Sequence, residues 1–197
     1  MFPSEKDNPI EVFAKWFDEA KNSEVKDPTA MCLATADKNG APSSRMVLLK
    51  GFDENGFVFF TNYESKKGSD LIENPKASIN FYWPPIDKQV RINGDVEKVS
   101  EQESDEYFKS RDRRSQIGAH ASKQSSELKG GMKELVAEVA KKTAKFGVGE
   151  VPRPEYWGGF RIKPQTIEFW YQGEFRIHKR LKFFKKGNGW EVKNLYP

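Results

Sequence analysis

A chain of 197 residues with 37% hydrophobic and 31% charged positions can bury a substantial core and reads as globular rather than disordered. No apolar run approaches a membrane span, and with Cys32 as the single cysteine no internal disulfide can form, which favours a reducing compartment. The amino end, MFPSEKDNPIEVF, lacks a basic-then-apolar leader pattern, so a cytoplasmic location is expected.

The first element reads as a helix. Asn8 stands as its cap, Pro9 suits its first turn, Glu11 completes a capping-box-like arrangement, and Ile10, Phe13, Phe17 and Ala20 recur at helical spacing. From Thr29 the texture turns to β, with TAMCLATA, SSRMVLLKGF and FVFFT separated by DKNG and DENG. Asn39-Gly40, Asn55-Gly56, Asn93-Gly94 and Asn188-Gly189 tolerate the positive φ of tight hairpins, so each is expected to be a turn. TNYESKKG reads as a strand-to-helix junction, and ASINFYW and QVRINGDVEKV as further strands. Ser100 and Glu103, in capping-box spacing, open a helix over SEQESDEYFKSR. SELKGGMKELVAEVAKKTAKF reads as another helix, interrupted early by Gly130 and Gly131. After Pro154, YWGGFRI, TIEFWYQ, RLKFFKK and WEVKNL return to strand. The expected class is α+β on an antiparallel barrel or curved sheet. It forms one domain over residues 1–197, with a helical segment at 1–27 and strands over 167–197 completing the site.

Several chemistries find no support. Two histidines and one cysteine make no zinc cluster, and no phosphate-binding loop, dinucleotide fingerprint or nucleophile elbow occurs. Cys32, in an apolar strand, reads as core. The carboxylates are scattered, which gives paired acid–base catalysis no special footing. What remains is cations, amides and hydroxyls. Arg45 and Lys50 flank an apolar strand. Thr61, Ser65, Lys66 and Lys67 sit at a helix start, a natural phosphate seat. Tyr107, Arg111, Ser115, Gln124 and Ser125 fall in one polar stretch. Near the carboxyl end Arg176, His178 and Arg180 alternate; on an extended strand they share one face, as a solvated edge or an anion site. Together these sets suggest more than one phosphate. The basic tail does not signal nucleic acid, since acids are interspersed upstream and no nucleic-acid motif appears.

These stretches carry a resemblance. RMVLLK at Arg45–Lys50, FTN at Phe60–Asn62, KQV at Lys88–Val90, YFKSR at Tyr107–Arg111 and SQIGA at Ser115–Ala119 resemble the pyridoxamine 5′-phosphate oxidase family. So do SKQSS at Ser122–Ser126, WGGFR at Trp157–Arg161 and EFW…RIHKR at Glu168–Arg180, so that the likeness runs from about Pro28 to Pro197. The resemblance implies an FMN-binding split β-barrel with peripheral helices, working as a homodimer with FMN at the subunit interface. It implies oxidation of pyridoxamine or pyridoxine 5′-phosphate to pyridoxal 5′-phosphate, with O2 as acceptor and H2O2 as product, and no membrane or nucleic-acid partner.

The implied roles follow the motifs. Arg45, Met46, Val47, Leu48, Leu49 and Lys50 match an FMN-contacting strand. Phe60 and Thr61 match a second contact, with Tyr common at the Phe60 position. Lys66 and Lys67 match the cations at the FMN phosphate, and Gln89, Gln124, Ser125, Trp170 and Arg180 match further FMN contacts. Lys50, Tyr107, Arg111 and Ser115 match a substrate-phosphate clamp, while Arg176 and His178 match the catalytic groups that face the substrate ring. Guanidinium forks and lysine point charges suit two phosphates held face to face, and orientation of that kind is worth about 7–11 kcal/mol in favourable systems. The chain departs from the pattern at Lys66, usually Arg; at Tyr171, usually Gln or His; and at Lys179, usually acidic or amide. An upstream Arg-Arg-x-Tyr segment is also absent. The alternatives are another split-barrel flavoprotein, such as a flavin reductase or an oxidase of altered substrate, and a non-catalytic FMN or pyridoxal phosphate binder.

Overall fold

The computed structural model describes residues 2–197. Helix α1, Pro9–Lys21, starts where the sequence places it: Asn8 caps it by accepting from the Ile10 amide at 2.8 Å. The chain then lays down β1 (Ala30–Ala36), β2 (Pro42–Leu48), β3 (Gly51–Asp53) and β4 (Gly56–Asn62). After α2 (Lys66–Glu73) come β5 (Lys76–Trp83) and β6 (Lys88–Lys98), then α3 (Glu101–Ser110), α4 (Arg113–Ala121) and α5 (Gly131–Phe146). Strands β7 (Trp157–Tyr171), β8 (Lys179–Lys186) and β9 (Gly189–Asn194) finish the fold. All the described strands join one curled antiparallel sheet, in the order β2-β1-β5-β6-β7-β4-β3, with β8 and β9 continuing from β7. No helix among the described residues is long and apolar enough to cross a membrane.

One face of this sheet packs on α1. Phe13 is fully buried and meets Phe52, Phe57 and Phe81 with ring centroids 4.8, 4.9 and 5.1 Å apart. Each such ring contributes about 1.5–3 kcal/mol on burial. The core continues through Ile79, Ile92, Ile167 and Phe169 to Leu181 and Phe183, so one apolar cluster runs from the first helix to β8. Lys88, itself buried, pairs with Glu19 and lies 4.8 Å from the Trp16 ring, tying α1 to the start of β6. The opposite face carries Gln89, Arg91, Glu168, Trp170 and Arg180.

Four expectations are corrected. Asn93-Gly94 is not a turn but a register shift inside β6. Gly94 lies so close to β7 that a Cβ there would fall 2.0 Å from the Lys163 carbonyl oxygen. YWGGFRI and TIEFWYQ are one strand, β7, because the irregularity opposite Asn93 and Gly94 absorbs Pro164 and Gln165 without ending the pairing. Cys32 lies on the less buried face of β1, between Met31 and Leu33, both fully buried. The alternation of Arg176, His178 and Arg180 fails at its first member. Glu174–Arg176 forms a tight 3₁₀ turn with Phe175 and Arg176 at φ of 52° and 65°, and β8 begins only at Lys179. Left-handed backbone at a bulky residue costs about 1–3 kcal/mol, so this turn is strained.

Candidate active site

Strand β2 is the outermost strand of the sheet path, and with the turn after it lays Arg45, Met46, Val47, Leu48 and Lys50 along a cavity of about 960 Å³. β4 adds Phe60 and Thr61, and the start of α2 adds Lys66 and Lys67. Tyr107 and Arg111 come from the end of α3, Ser115 from α4, and Gln124 and Ser125 from the loop that follows. Leu49 instead points into the core, 4% exposed, so its side chain does not reach the cavity.

The α2 end of the cavity is a cation nest. Ser65 caps α2, accepting from the Gly68 amide. Lys67 is buried and donates to Thr61 Oγ1 at 3.1 Å, Ser65 Oγ at 3.0 Å and Gln124 Oε1 at 3.1 Å. All three acceptors are neutral. Burial therefore pushes the Lys67 ammonium down to about 8, with the Arg45 charge acting in the same direction. Arg45 donates to Thr35 Oγ1 at 2.8 Å and Ser43 Oγ at 2.7 Å. Lys66 donates to Asp70 Oδ1 at 2.5 Å, and the Thr35 hydroxyl donates to Asp70 Oδ2 at 2.7 Å. Burial raises the Asp70 carboxyl, but these bonds and the neighbouring cations outweigh it and hold the group below its usual range. Asp70 thus pairs with Arg45 and Lys66, while Lys67 has only neutral partners, an excess of positive charge suited to an anion.

An aromatic group carrying a second cation set lines another part of the cavity. Phe60 stacks on Tyr107 at 4.0 Å, and Trp157 lies near-parallel to both, 5.6 Å from Phe60 and 6.1 Å from Tyr107. The Arg111 guanidinium sits 4.6 Å from the Trp157 ring centre, and its buried Nη1 has no hydrogen-bond partner among the described residues. Burial lowers the Arg111 pKa. Asp112 caps α4 through the Ser115 amide at 2.9 Å and accepts from the Ser115 hydroxyl at 2.5 Å. Lys50 Nζ lies 6.0 Å from the Tyr107 ring centre.

A separate group sits on adjoining ends of β6, β7 and β8, where Gln89, Trp170 and Arg180 are register partners. The His178 ring lies 4.7 Å from that of Trp170. The Gly173 amide donates to His178 Nδ1 at 3.2 Å, so Nδ1 is the unprotonated nitrogen and Nε2 carries the proton. A Cβ at Gly173 would fall 1.9 Å from the Ile177 carbonyl oxygen, so only glycine fits the neck of this turn. Arg180 Nε and Nη2 donate to Glu168 Oε1 at 2.9 and 2.7 Å. Arg91 Nη2 donates to Glu168 Oε2 at 2.5 Å. Burial raises the Glu168 carboxyl, but the two arginines outweigh it and keep it below its usual range.

Gln89, Trp170, Arg176, His178 and Arg180 do not line the cavity of their own chain. Thr61 pairs with Gly158 at one end of β7, while Trp170 lies about twelve residues further along that strand. At about 3.3 Å per residue this is a path of roughly 40 Å. Ser43, Asp70, Trp157 and Glu168 also belong to these groups, although their sequence context assigns them no role. Asp70, four residues after Lys66 on α2, was open to detection as an i,i+4 ion pair; Glu168 shows itself only once the strand register is known.

This curled antiparallel sheet with its flanking helices is a split β-barrel. Residues 17–145 match the family described as pyridoxamine 5′-phosphate oxidase, and residues 157–197 match the pyridoxine 5′-phosphate oxidase C-terminal dimerisation region. The chain belongs to the pyridoxamine 5′-phosphate oxidase family. It is similar to the pyridoxine/pyridoxamine 5′-phosphate oxidase of Sinorhizobium fredii, 51% identical over 193 residues, 97% of this chain and 93% of that protein. The enzyme of the same name from Bartonella quintana is 52% identical over 192 residues, 96% of this chain and 92% of the other. Among solved structures, PhzG from Burkholderia lata, in complex with tetrahydrophenazine-1-carboxylic acid, superposes with a TM-score of 0.93 at 34% identity, covering 100% of this chain and 98% of that one. An FMN-binding protein from Nostoc punctiforme shares the fold at a TM-score of 0.76 and 17% identity, covering 98% of this chain and 100% of the other.

Proposed function

We propose that this chain is an FMN-dependent oxidase that converts pyridoxamine 5′-phosphate and pyridoxine 5′-phosphate to pyridoxal 5′-phosphate. O2 is reduced to H2O2; the amine substrate also consumes water and releases ammonia. The observation that carries the reading is the presence of two cation sets, Arg45, Lys66 and Lys67 and then Lys50 and Arg111, lining one cavity. That cavity, about 960 Å³, lies at the upper end of the roughly 300–1,000 Å³ typical of ligand sites.

The residues present fit FMN. Arg45, Lys66 and Lys67 carry an unneutralised positive charge at a capped helix start, which suits its phosphate. The outer backbone edge of β2 has no strand partner among the described residues, so its amides and carbonyls are available to the polar rim of a flat ring system. When bound, FMN supplies the two-electron acceptor chemistry. The protein binds and orients. The partnerless Nη1 of Arg111, together with Lys50, Tyr107 and Ser115, takes the substrate phosphate. Arg176 and His178 face the substrate ring, with Nε2 of His178 as the proton-bearing atom.

In this reading the chain works as a homodimer with FMN at the interface. Gln89, Trp170, Arg176, His178 and Arg180 of one copy complete the cavity of the other. The support is the separation of the two groups along β7 together with the dimerisation-region match over residues 157–197. Two-electron oxidation of a reduced ring that bears a carboxylate is a second reading, favoured by the ligand of the PhzG structure. The assay is peroxide and pyridoxal phosphate formation by the yellow, FMN-loaded protein with each phosphorylated vitamer. Flavin-loaded protein that forms peroxide with neither vitamer overturns the reading.

A further inference from the structure

Phe175 combines two unfavourable features that no contact among the described residues offsets. Its backbone is left-handed at φ 52°, followed at once by Arg176 at 65°, and its side chain is 90% exposed. Left-handed backbone suits Gly, Asn or Asp; a large aromatic is among the residues least suited to it. An exposed ring at such a position gains nothing from packing. Ile177, two residues on, is 69% exposed, so Arg176 is flanked on both sides by bare apolar side chains. The turn itself is firmly held. The Ile177 amide donates to the Glu174 carbonyl at 2.9 Å, the Gly173 amide donates to His178 Nδ1, and Gly173 leaves no room for a Cβ beside Ile177. The Phe175 ring is therefore presented outward by a rigid neck.

We infer that Phe175 is an anchor that seats on a second copy of this chain and thereby fixes Arg176 over that copy's cavity. Two observations favour a second copy as the occupant. Phe175 falls within the stretch that matches the dimerisation region, so it is continuous with that interface. The cavity also has an apolar rim of its own, where Met46 and Leu48 are 62% and 40% exposed, matching the character of Phe175 and Ile177. Burial of the ring between copies offsets the strained turn, and the turn in exchange gives Arg176 a defined direction. This makes Phe175 a positioning residue. The inference rests on the composite site proposed above.

The test is sedimentation of the full-length, FMN-loaded protein over a range of concentrations, for wild type, Phe175→Asn and Phe175→Leu. Asn accepts the left-handed backbone, so Phe175→Asn removes the ring and leaves the turn; Leu restores apolar bulk. The expected result is self-association at least tenfold weaker for Phe175→Asn and nearer wild type for Phe175→Leu, with unchanged far-ultraviolet circular dichroism. Turnover of Phe175→Asn, low in dilute protein, is expected to recover as protein concentration rises. Unchanged self-association overturns the inference. So does lost turnover that added protein does not restore, which places the ring on the ligand instead. Self-association is read whether or not the wild type oxidises either vitamer, so failure of the oxidase reading is seen separately.

Discussion

Glu168 and Arg180 are joined by two hydrogen bonds, 2.9 and 2.7 Å, to a single carboxylate oxygen, while the other oxygen takes Arg91. The carboxylate is 2% exposed and both its oxygens are engaged, so Arg180 is aimed from behind. Glu168→Gln keeps the shape and removes the charge. Losing one partner of a buried pair costs about 3–5 kcal/mol, and the partial exposure of both arginines puts this case at the low end, about 3 kcal/mol. Chemical denaturation measures it. A lowered carboxylate pKa contributes stability that is complete above the unfolded value, near 4.5, and is lost as pH falls through the folded value. Glu168→Gln is therefore expected to lose less stability than wild type on acidification below 4.5.

Lys67 gives a pH dependence of the same sign in a more alkaline window. Its ammonium is lowered from 10.5 to about 8, so between those values the unfolded chain holds a proton that the folded chain has given up. The Lys67 contribution to ligand-free stability accordingly rises with pH across that window. A bound phosphate favours the charged form. FMN binding near pH 8 should therefore take up protons, and affinity should weaken as pH rises above that point. Calorimetry in buffers of different ionisation enthalpy reads the uptake, and Lys67→Gln should abolish most of it.

Gly173 tests the neck of the turn that carries Arg176 and His178. A Cβ 1.9 Å from the Ile177 carbonyl oxygen forces the turn open and breaks the hydrogen bond that the Gly173 amide donates to His178 Nδ1. Gly173→Ala should lose at least about tenfold in turnover through misplacement of Arg176 and His178. Flavin content should stay near wild type, because the cation nest at α2 is untouched.

Arg45 and Arg176 separate cofactor binding from turnover. Arg45 belongs to the cation nest at α2, the proposed seat of the FMN phosphate, so Arg45→Ala should weaken FMN retention. Arg176 stands outside that nest, so Arg176→Ala should keep the flavin and lose most turnover. Absorbance of the purified variants, alongside peroxide assays, distinguishes the two. Equal flavin loss in both would show the division of roles to be wrong.

Much of the fold was legible in the sequence because it is written in local signals. Asn8, Ser65 and Ser100 cap the helices their spacing announces, and Gly40 and Gly56 take the positive φ their turns require. Asn93-Gly94 misled because the same pair serves a bulge when a neighbouring strand approaches closely, a tertiary fact. The site residues of β2, β4 and α2 were readable as cations and hydroxyls around a helix start. Asp70 and Glu168 were not singled out, because their importance lies in which cations they face across the fold. The tail misled for another reason: alternation supposes an extended backbone, and Phe175 and Arg176 adopt a left-handed one that their side chains do not announce.

The composite site is tested most directly by mixing two inactive variants. Equal amounts of Arg45→Ala and Arg176→Ala protein, unfolded and refolded together with FMN, form mixed dimers in which one cavity keeps its own Arg45 and receives an intact Arg176 from the other copy. Random pairing in a twofold dimer should restore about a quarter of wild-type peroxide formation with pyridoxamine 5′-phosphate. A mixture no more active than its separately refolded components would contradict a site shared between two copies.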